Sequence, residues 1–347
     1  MTNKKQIALF FGGRGYEHSV SVSGAKNLLS LIDRERYGVY TIFIEKSGKM
    51  RLTAPDFEDG EADLSRDDAL FSCGEAVFPI LADGRGALLT ESGERLQIDC
   101  AFPLLHGDFG EDGTIQGLLA SCRIPFVGAD TRASAICLDK AATKAFAEAL
   151  GISTVPWRLL TDGESCSDLE PPLFIKPDCL GSSVGASPAH SREELKAAIQ
   201  SAARLGCGRV LAERLVSPRR ELECAYFSAQ GEQIVTYPGE ILCDGFYSYE
   251  RKYSTEAAGT SARAEVSREI AERMREHTRR LCGAIGVRHL ARVDFFLSGD
   301  ELYLNEINTM PGMTASSLYP RLLDGAGISP AEAINRMISD AIAEGAL

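Results

Sequence analysis

Residues 292–308 read Arg292-Val293-Asp294-Phe295-Phe296-Leu297-Ser298-Gly299-Asp300-Glu301-Leu302-Tyr303-Leu304-Asn305-Glu306-Ile307-Asn308. Two apolar-rich runs flank a turn containing Gly299, the pattern of a β-hairpin. With the loop centred on Asp300, Asp294 faces Glu306 and Arg292 faces Asn308. Side chains two residues apart share a face of a strand. Arg292, Asp294, Glu306 and Asn308 are therefore expected together on one face, with Val293, Phe295 and Ile307 on the other. Two carboxylates and one amide oxygen are hard donors suited to Mg²⁺, which completes its shell with water and substrate phosphates, so a nucleotide is implied. A surface hairpin carrying a salt bridge is the plainer account of the same residues.

Working outward, Phe174-Ile175-Lys176-Pro177 is an apolar strand leading into Gly181-Ser182-Ser183-Val184-Gly185. Small residues let backbone N–H groups close around phosphate oxygens, and an inward Lys176 can meet the same phosphate, while an ordinary mobile loop accounts for the glycines and serines equally well. No Lys-Ser/Thr pair follows the last glycine, so this is not a Walker A loop. Lys140, in Leu138-Asp139-Lys140, reads either as a second phosphate contact or as a solvated lysine on one helix running from about Ser134 to Leu150. At the other end of the chain, Ile7–Phe11 is a strand ending in Gly12-Gly13-Arg14-Gly15-Tyr16-Glu17-His18. A dinucleotide fingerprint fails there because His18 stands where the third glycine belongs, which disfavours a dehydrogenase. Glu17 can grip a substrate ammonium or simply cap a helix. His106-Gly107-Asp108-Phe109-Gly110-Glu111-Asp112-Gly113 is a polar loop at a strand end, where sites form. Tyr247–Tyr253 suits a closing lid, or is an exposed loop with no role in closure. In Thr309-Met310-Pro311-Gly312-Met313 a glycine N–H can face an oxyanion, or the segment is a plain turn.

The remaining composition narrows the class. The chain has 347 residues, 44% hydrophobic and 25% charged, a balance that predicts two or three globular domains. No apolar run reaches the roughly 18–20 residues of a membrane span, and no leader pattern follows Met1, so a cytoplasmic protein is expected. The net charge of −12 without a basic stripe disfavours nucleic acid. The ten cysteines include no C-x-x-C pair and read as buried reduced thiols. Strands at Val39–Ile44, Ala101–Leu105 and Pro125–Gly128 alternate with helices, predicting a mostly parallel N-terminal sheet with ligands at its strand ends. Beyond Arg219 the pattern becomes strand-rich.

Taken in order, these motifs resemble the D-alanine–D-alanine ligases of the ATP-grasp superfamily over nearly the whole chain. The resemblance implies an α/β protein: an N-terminal parallel-sheet, Rossmann-like domain over 1–130, then a two-subdomain ATP-grasp fold over 131–217 and 218–347. It implies that Lys140, Lys176, Ser183, Glu213, Val216 and Glu221 hold ATP, and that Asp294, Glu306 and Asn308 hold two Mg²⁺ or Mn²⁺ ions. Glu17 would bind the ammonium of the first D-alanine, with Ser182 and Tyr253 completing a hydrogen-bonded triad. His106 would contact substrate. Arg292 and the Gly312 N–H would stabilise the tetrahedral intermediate, while Ser317, Leu318 and Lys252 would bound the second substrate and the transferring phosphate. A homodimer is implied as well.

Two departures leave room for a ligase that uses D-serine or D-lactate second. Ser19 stands where many members carry Glu, and Asp178-Cys179-Leu180 precedes the glycine loop where some carry Ser-Arg-Glu. Tyr253 and Leu318 point instead to D-alanine. A nucleotide-binding regulator without catalysis is disfavoured by the intact set Arg292, Asp294, Glu306, Asn308, Lys176 and Tyr253.

Overall fold

The structure, a computed structural model, describes residues 4–53, 71, 73–161, 166, 168–205, 208–242 and 259–345. Among these residues the strands form three sheets. The first has the order β6-β5-β4-β3-β2-β1-β7, built from β1 (Lys5–Gly12), β2 (Tyr37–Ile44), β3 (Met50–Thr53), β4 (Glu75–Ala82), β5 (Arg85–Thr90), β6 (Arg95–Gln97) and β7 (Cys100–Pro103). β1 lies parallel to β2 on one side and to β7 on the other. Hydrogen-bonded on both edges and covered on both faces, its Ile7–Phe11 run is wholly buried and continuously apolar.

The expected mostly parallel sheet is corrected here. Only β7, β1 and β2 run parallel, and β3 to β6 extend the sheet antiparallel. The cause is local: β2–β3, β4–β5 and β5–β6 are joined by short turns, too short for the crossover a parallel pair needs. Asp83 (φ 50°) and Gly84 (φ 77°) supply the two positive φ values of a tight hairpin. The expected strand at Pro125–Gly128 is also reduced to one parallel bridge, Phe126 to Ala101.

The second sheet, β10-β9-β11-β8, comprises β8 (Trp157–Leu160), β9 (Leu173–Pro177), β10 (Ser187–Ala189) and β11 (Val210–Arg214). The third contains β12 (Arg220–Ala229), β13 (Glu232–Val235), β14 (Gly239–Leu242), β15 (Gly259–Ser261), β16 (His289–Ser298) and β17 (Glu301–Asn308). The helices are α1 (His18–Leu31), α2 (Thr114–Ser121), α3 (Thr131–Leu138), α4 (Lys140–Ala149), α5 (Arg192–Leu205), α6 (Arg268–Ile285), α7 (Leu318–Gly325) and α8 (Pro330–Glu344).

The single helix expected over 134–150 is two. Asp139 takes an extended conformation (φ −73°, ψ 103°), ending α3 and capping α4 through Ala142 N. A short acidic side chain that bonds the backbone ahead of it favours a cap over helix continuation. Lys140 is thereby the first residue of a helix and is buried, not solvated.

One large core joins β1 and α1 to α7, α8 and the middle of β12, so the C-terminal helices pack with the N-terminal sheet. Cys100, Cys122, Cys137, Cys224 and Cys282 are buried thiols as expected, but Cys73 is exposed and Cys166 and Cys179 are only partly buried.

Candidate active site

The β16–β17 hairpin arranges the site. Its turn is tighter than the sequence reading has it: Ser298 pairs with Glu301, leaving Gly299 (φ 58°) and Asp300 as a two-residue loop. A bulge at Asn305 then adds back one residue, so Asp294 pairs with Glu306 and Arg292 with Asn308 as expected. Val293, Phe295 and Ile307 are buried on the opposite face. The sheet adds a residue that the sequence reading misses: β12 sets Glu223 beside Asp294, giving a cross-strand row Glu223–Asp294–Glu306. Arg292 lies against this row. Its Nε and Nη2 donate to Asp294 Oδ1 at 2.8 Å and Oδ2 at 2.7 Å, and Nε is 3.2 Å from Glu223 Oε2. Burial acts to lower the Arg292 pKa, but Asp294 and Glu223 outweigh it and hold the guanidinium charged.

The row opens onto a cleft. Lys140, Lys176, Ser183, Glu221, Arg292, Asp294 and Glu306 all line it. Phe174, Val184, Ile241 and Phe296 add apolar surface to its lining. Arg219, also missed in the sequence reading, lies over the Phe296 ring at 4.4 Å and bonds Glu221 at 3.1 Å. Lys140 Nζ donates to Leu180 O at 2.6 Å and sits 3.6 Å from Glu306 Oε2. Lys176 Nζ donates to Asn305 Oδ1 at 3.2 Å and pairs with Glu213 Oε2 at 3.0 Å. Glu213 itself does not line the cleft but lies buried beneath Lys176. Val216 is likewise in a small core with Val155 and Tyr303.

The glycine-rich loop carries backbone strain. Ser182 (φ 54°) and Ser183 (φ 58°) are consecutive left-handed residues, with Val184 N bonding Gly181 O at 3.2 Å. Such conformations in non-glycine residues cost of order 1–3 kcal/mol each and cluster where ligands bind.

A second group of residues meets where the parallel strands end. Gly12 (φ 92°) makes the turn from β1, because a Cβ there would lie 2.5 Å from Ile44 O. The chain then delivers Glu17 to the start of α1. A Cβ on Gly107 or on Gly181 would lie 3.5 or 3.4 Å from Glu17 Oε2, so this carboxylate sits between the His106 loop and the serine loop. His106 Nδ1 donates to Met310 O at 2.8 Å. Burial lowers its pKa, the ring is neutral, and Nε2 is left as a buried acceptor with no protein hydrogen bond among the described residues. Glu111 ties the same loop to the segment after β17. It accepts from Gly107 N at 2.8 Å and Met310 N at 3.1 Å. Burial and the Glu17 charge push its carboxyl up to about 8 against those two bonds.

Gly312 abuts Ser317, since a Cβ would lie 2.9 Å from Ser317 Oγ. Ser317 precedes α7 and bonds Thr314 Oγ1 at 2.7 Å. The Leu318 side chain turns into the core and not into the cleft. Tyr253, Lys252 and the 247–253 segment lie outside the described residues.

A cleft lined by lysines, carboxylates and apolar side chains from the second and third sheets and their loops defines a class of ligand-binding α/β enzyme. The chain belongs to the D-alanine–D-alanine ligase family: the model described as D-ala D-ala ligase N-terminus matches residues 6–129, and that described as D-ala D-ala ligase C-terminus matches residues 146–339. A D-alanine--D-alanine ligase of Bradyrhizobium sp. (strain BTAi1) is 37% identical over 363 aligned positions, covering 98% of this chain and 96% of the relative. The one from Deinococcus radiodurans is 36% identical, covering 98% and 99%. Among solved structures, the Coxiella burnetii D-alanine-D-alanine ligase superposes with a TM-score of 0.87 at 28% identity, covering 99% of this chain and 95% of that one. The VanG D-Ala:D-Ser ligase of Enterococcus faecalis gives 0.85 at 30% identity, covering 98% and 100%.

Proposed function

We propose that this chain joins two D-alanines into D-alanyl-D-alanine for peptidoglycan precursor synthesis, with cleavage of ATP to ADP and phosphate. The observation that carries this reading is the cleft in which Lys140 and Lys176 face the Arg292–Asp294–Glu306 row. In the reaction, a carboxylate oxygen of the first D-alanine attacks the γ-phosphorus of ATP. The bond from that phosphorus to ADP breaks, and an acyl phosphate forms. The amine of the second D-alanine attacks the acyl carbon and loses a proton. The carbon–oxygen bond to phosphate breaks, and phosphate leaves carrying one oxygen of the original carboxylate.

We assign the residues as follows. Lys140 and Lys176 take the nucleotide phosphates, with the strained backbone of Ser182 and Ser183 beside them. Glu17 takes the first ammonium, and the His106 Nε2 lone pair accepts from the same substrate. Arg292, fixed by two bonds to Asp294, stabilises the oxyanion with the Gly312 N–H. Ser317 and the α7 N-terminus bound the second substrate, whose carboxylate suits a helix start. Tyr253 and Lys252 retain the roles the resemblance implies, in a lid that excludes water from the acyl phosphate. Asp294, Glu306 and Asn308 carry the hard oxygen donors that suit Mg²⁺ or Mn²⁺, although Asp294 takes two bonds from Arg292 and Asn308 Oδ1 accepts from Met310 N at 3.1 Å; two ions held there would offset the charge of the transferring phosphoryl group. We assign domains to 1–130, 131–217 and 218–347, the last two forming the ATP-grasp; the support is that each contains one of the three sheets. We also infer a cytoplasmic homodimer, on the family likeness alone. No helix among the described residues is long and apolar enough to cross a membrane.

The second substrate is tested by incubation with ATP, Mg²⁺ and D-alanine, alone and with D-serine or D-lactate, and identification of products by mass. D-alanyl-D-alanine is expected as the main product in every mixture. Preferential mixed product would move the protein to the D-serine or D-lactate ligases while keeping the chemistry.

A further inference from the structure

Lys144 plays no part in the assignments above, yet it is wholly buried and set against a carboxylate. Helix α4 sets Lys140 and Lys144 one turn apart on one face. Lys140 reaches the cleft, whereas Lys144 has no exposed surface and ends 2.6 Å from Glu213 Oε1. The other oxygen, Glu213 Oε2, is 3.0 Å from Lys176 Nζ. Glu213 and Lys176 meet because β9 and β11 pair Leu211 with Lys176, which puts Glu213 two residues further on the same face. Lys176 alone of the three lines the cleft, where its next partner is the neutral Asn305 oxygen.

The Lys144 and Lys176 amino groups therefore share the Glu213 carboxylate, and Glu148 is the next acidic group acting on Lys144. A buried charge without a counter-charge is costly, and an apolar residue in place of Lys144 would leave a neutral Glu213–Lys176 pair. Burial lowers the Lys144 pKa, while Glu213 keeps its own below the ordinary range because Lys176 and Lys144 outweigh its desolvation. The fold thus retains an expensive lysine one layer behind the cleft.

We propose that Lys144 is a positioning residue for nucleotide binding: by occupying one oxygen of Glu213, it leaves Lys176 incompletely neutralised and directed at a phosphate in the cleft. The proposal rests on the reading of that cleft as a nucleotide site.

The test is equilibrium binding of Mg·ADP and of adenosine, which lacks phosphate, to the full chain. Lys144→Met is expected to weaken ADP by roughly tenfold or more and to leave adenosine unchanged. Lys144→Gln keeps a polar side chain without the charge, and the same loss is expected. Lys144→Met combined with Glu213→Gln removes the carboxylate that would otherwise neutralise Lys176 and is expected to recover ADP binding to within about threefold. ADP binding unchanged in Lys144→Met, equal losses for ADP and adenosine, rescue by glutamine, or a double variant weaker than the single would each overturn the proposal. Wild-type protein that binds no adenine nucleotide would instead overturn the nucleotide reading of the cleft, and the proposal with it.

Discussion

Glu111 holds two backbone donors at once, Gly107 N and Met310 N, and so locks the His106 loop against the segment that carries Gly312. Glu111→Gln replaces one acceptor oxygen by an NH₂ group, leaving one buried N–H without a partner. The expected loss is about 1–3 kcal/mol of stability, read by urea unfolding, with a fall in activity because His106 and Gly312 lose their common anchor. His289 supplies a pH dependence. It sits at φ 61°, is buried, and accepts from Gly128 N at 2.9 Å through Nδ1. Burial and the Arg288 charge lower its pKa from 6.5 to about 4, against the pull of Asp340. The unfolded chain therefore binds the extra proton first. Stability from this group is complete above pH 6.5 and falls as the pH drops from 6.5 towards 4, by roughly 3 kcal/mol in all. In urea unfolding at pH 7 and pH 4.5, His289→Asn is expected to flatten that decline; an unchanged pH slope would contradict the assignment. At this scale the sequence reveals residues whose spacing is itself the signal. Arg292, Asp294, Glu306 and Asn308 are legible because strand alternation places them together. Glu111, Lys144 and Glu223 are not, because each acquires its meaning from a partner on another element, which no local pattern encodes.

The β16–β17 hairpin shows why a register can be right while its turn is wrong. The turn is one residue tighter than expected, and the Asn305 bulge restores the pairing at the functional end. Without that bulge Asp294 would face Asn305, and Glu306 would turn away from the cleft. Nothing in the alternation of Leu302 to Ile307 signals the bulge, since Asn305 and Glu306 are both polar. The break between α3 and α4 was readable in principle. Asp139 is a short carboxylate in an alanine-rich run, but helix propensity summed over that run masks it. Its carboxylate caps Ala142 N and pairs with Arg209 at 2.7 Å, while Asp178 accepts from Ala141 N at 2.9 Å and takes the other Arg209 nitrogen at 2.8 Å. Two acids and one arginine thus fix the start of α4, and with it Lys140. Asp139→Ala is expected to cost about 1 kcal/mol by loss of the cap. It should also weaken Mg·ADP binding as Lys140 loses its anchor. Asp139→Asn keeps the cap and should recover most of the stability, checked by parallel thermal melts and ADP titrations.

Across the whole molecule, function depends on returning the C-terminal segments to the N-terminal sheet. Met310, Met313, α7 and α8 share one core with β1 and α1, so Gly312 and Ser317 are presented to the loops that carry Glu17 and His106. The alternation of strands and helices made the α/β class legible, and the motif order made the family legible. The antiparallel half of the first sheet was less so, because parallel and antiparallel neighbours differ in the connection and not in the strand. The proposed chemistry activates a carboxylate through ATP and passes it to an amine. The most direct measurement supplies ATP, Mg²⁺ and D-alanine labelled with ¹⁸O in its carboxylate, and analyses the products by mass. The account predicts D-alanyl-D-alanine, ADP and phosphate carrying one ¹⁸O atom. Dipeptide formed with unlabelled phosphate, or no nucleotide cleavage with D-alanine present, would contradict it.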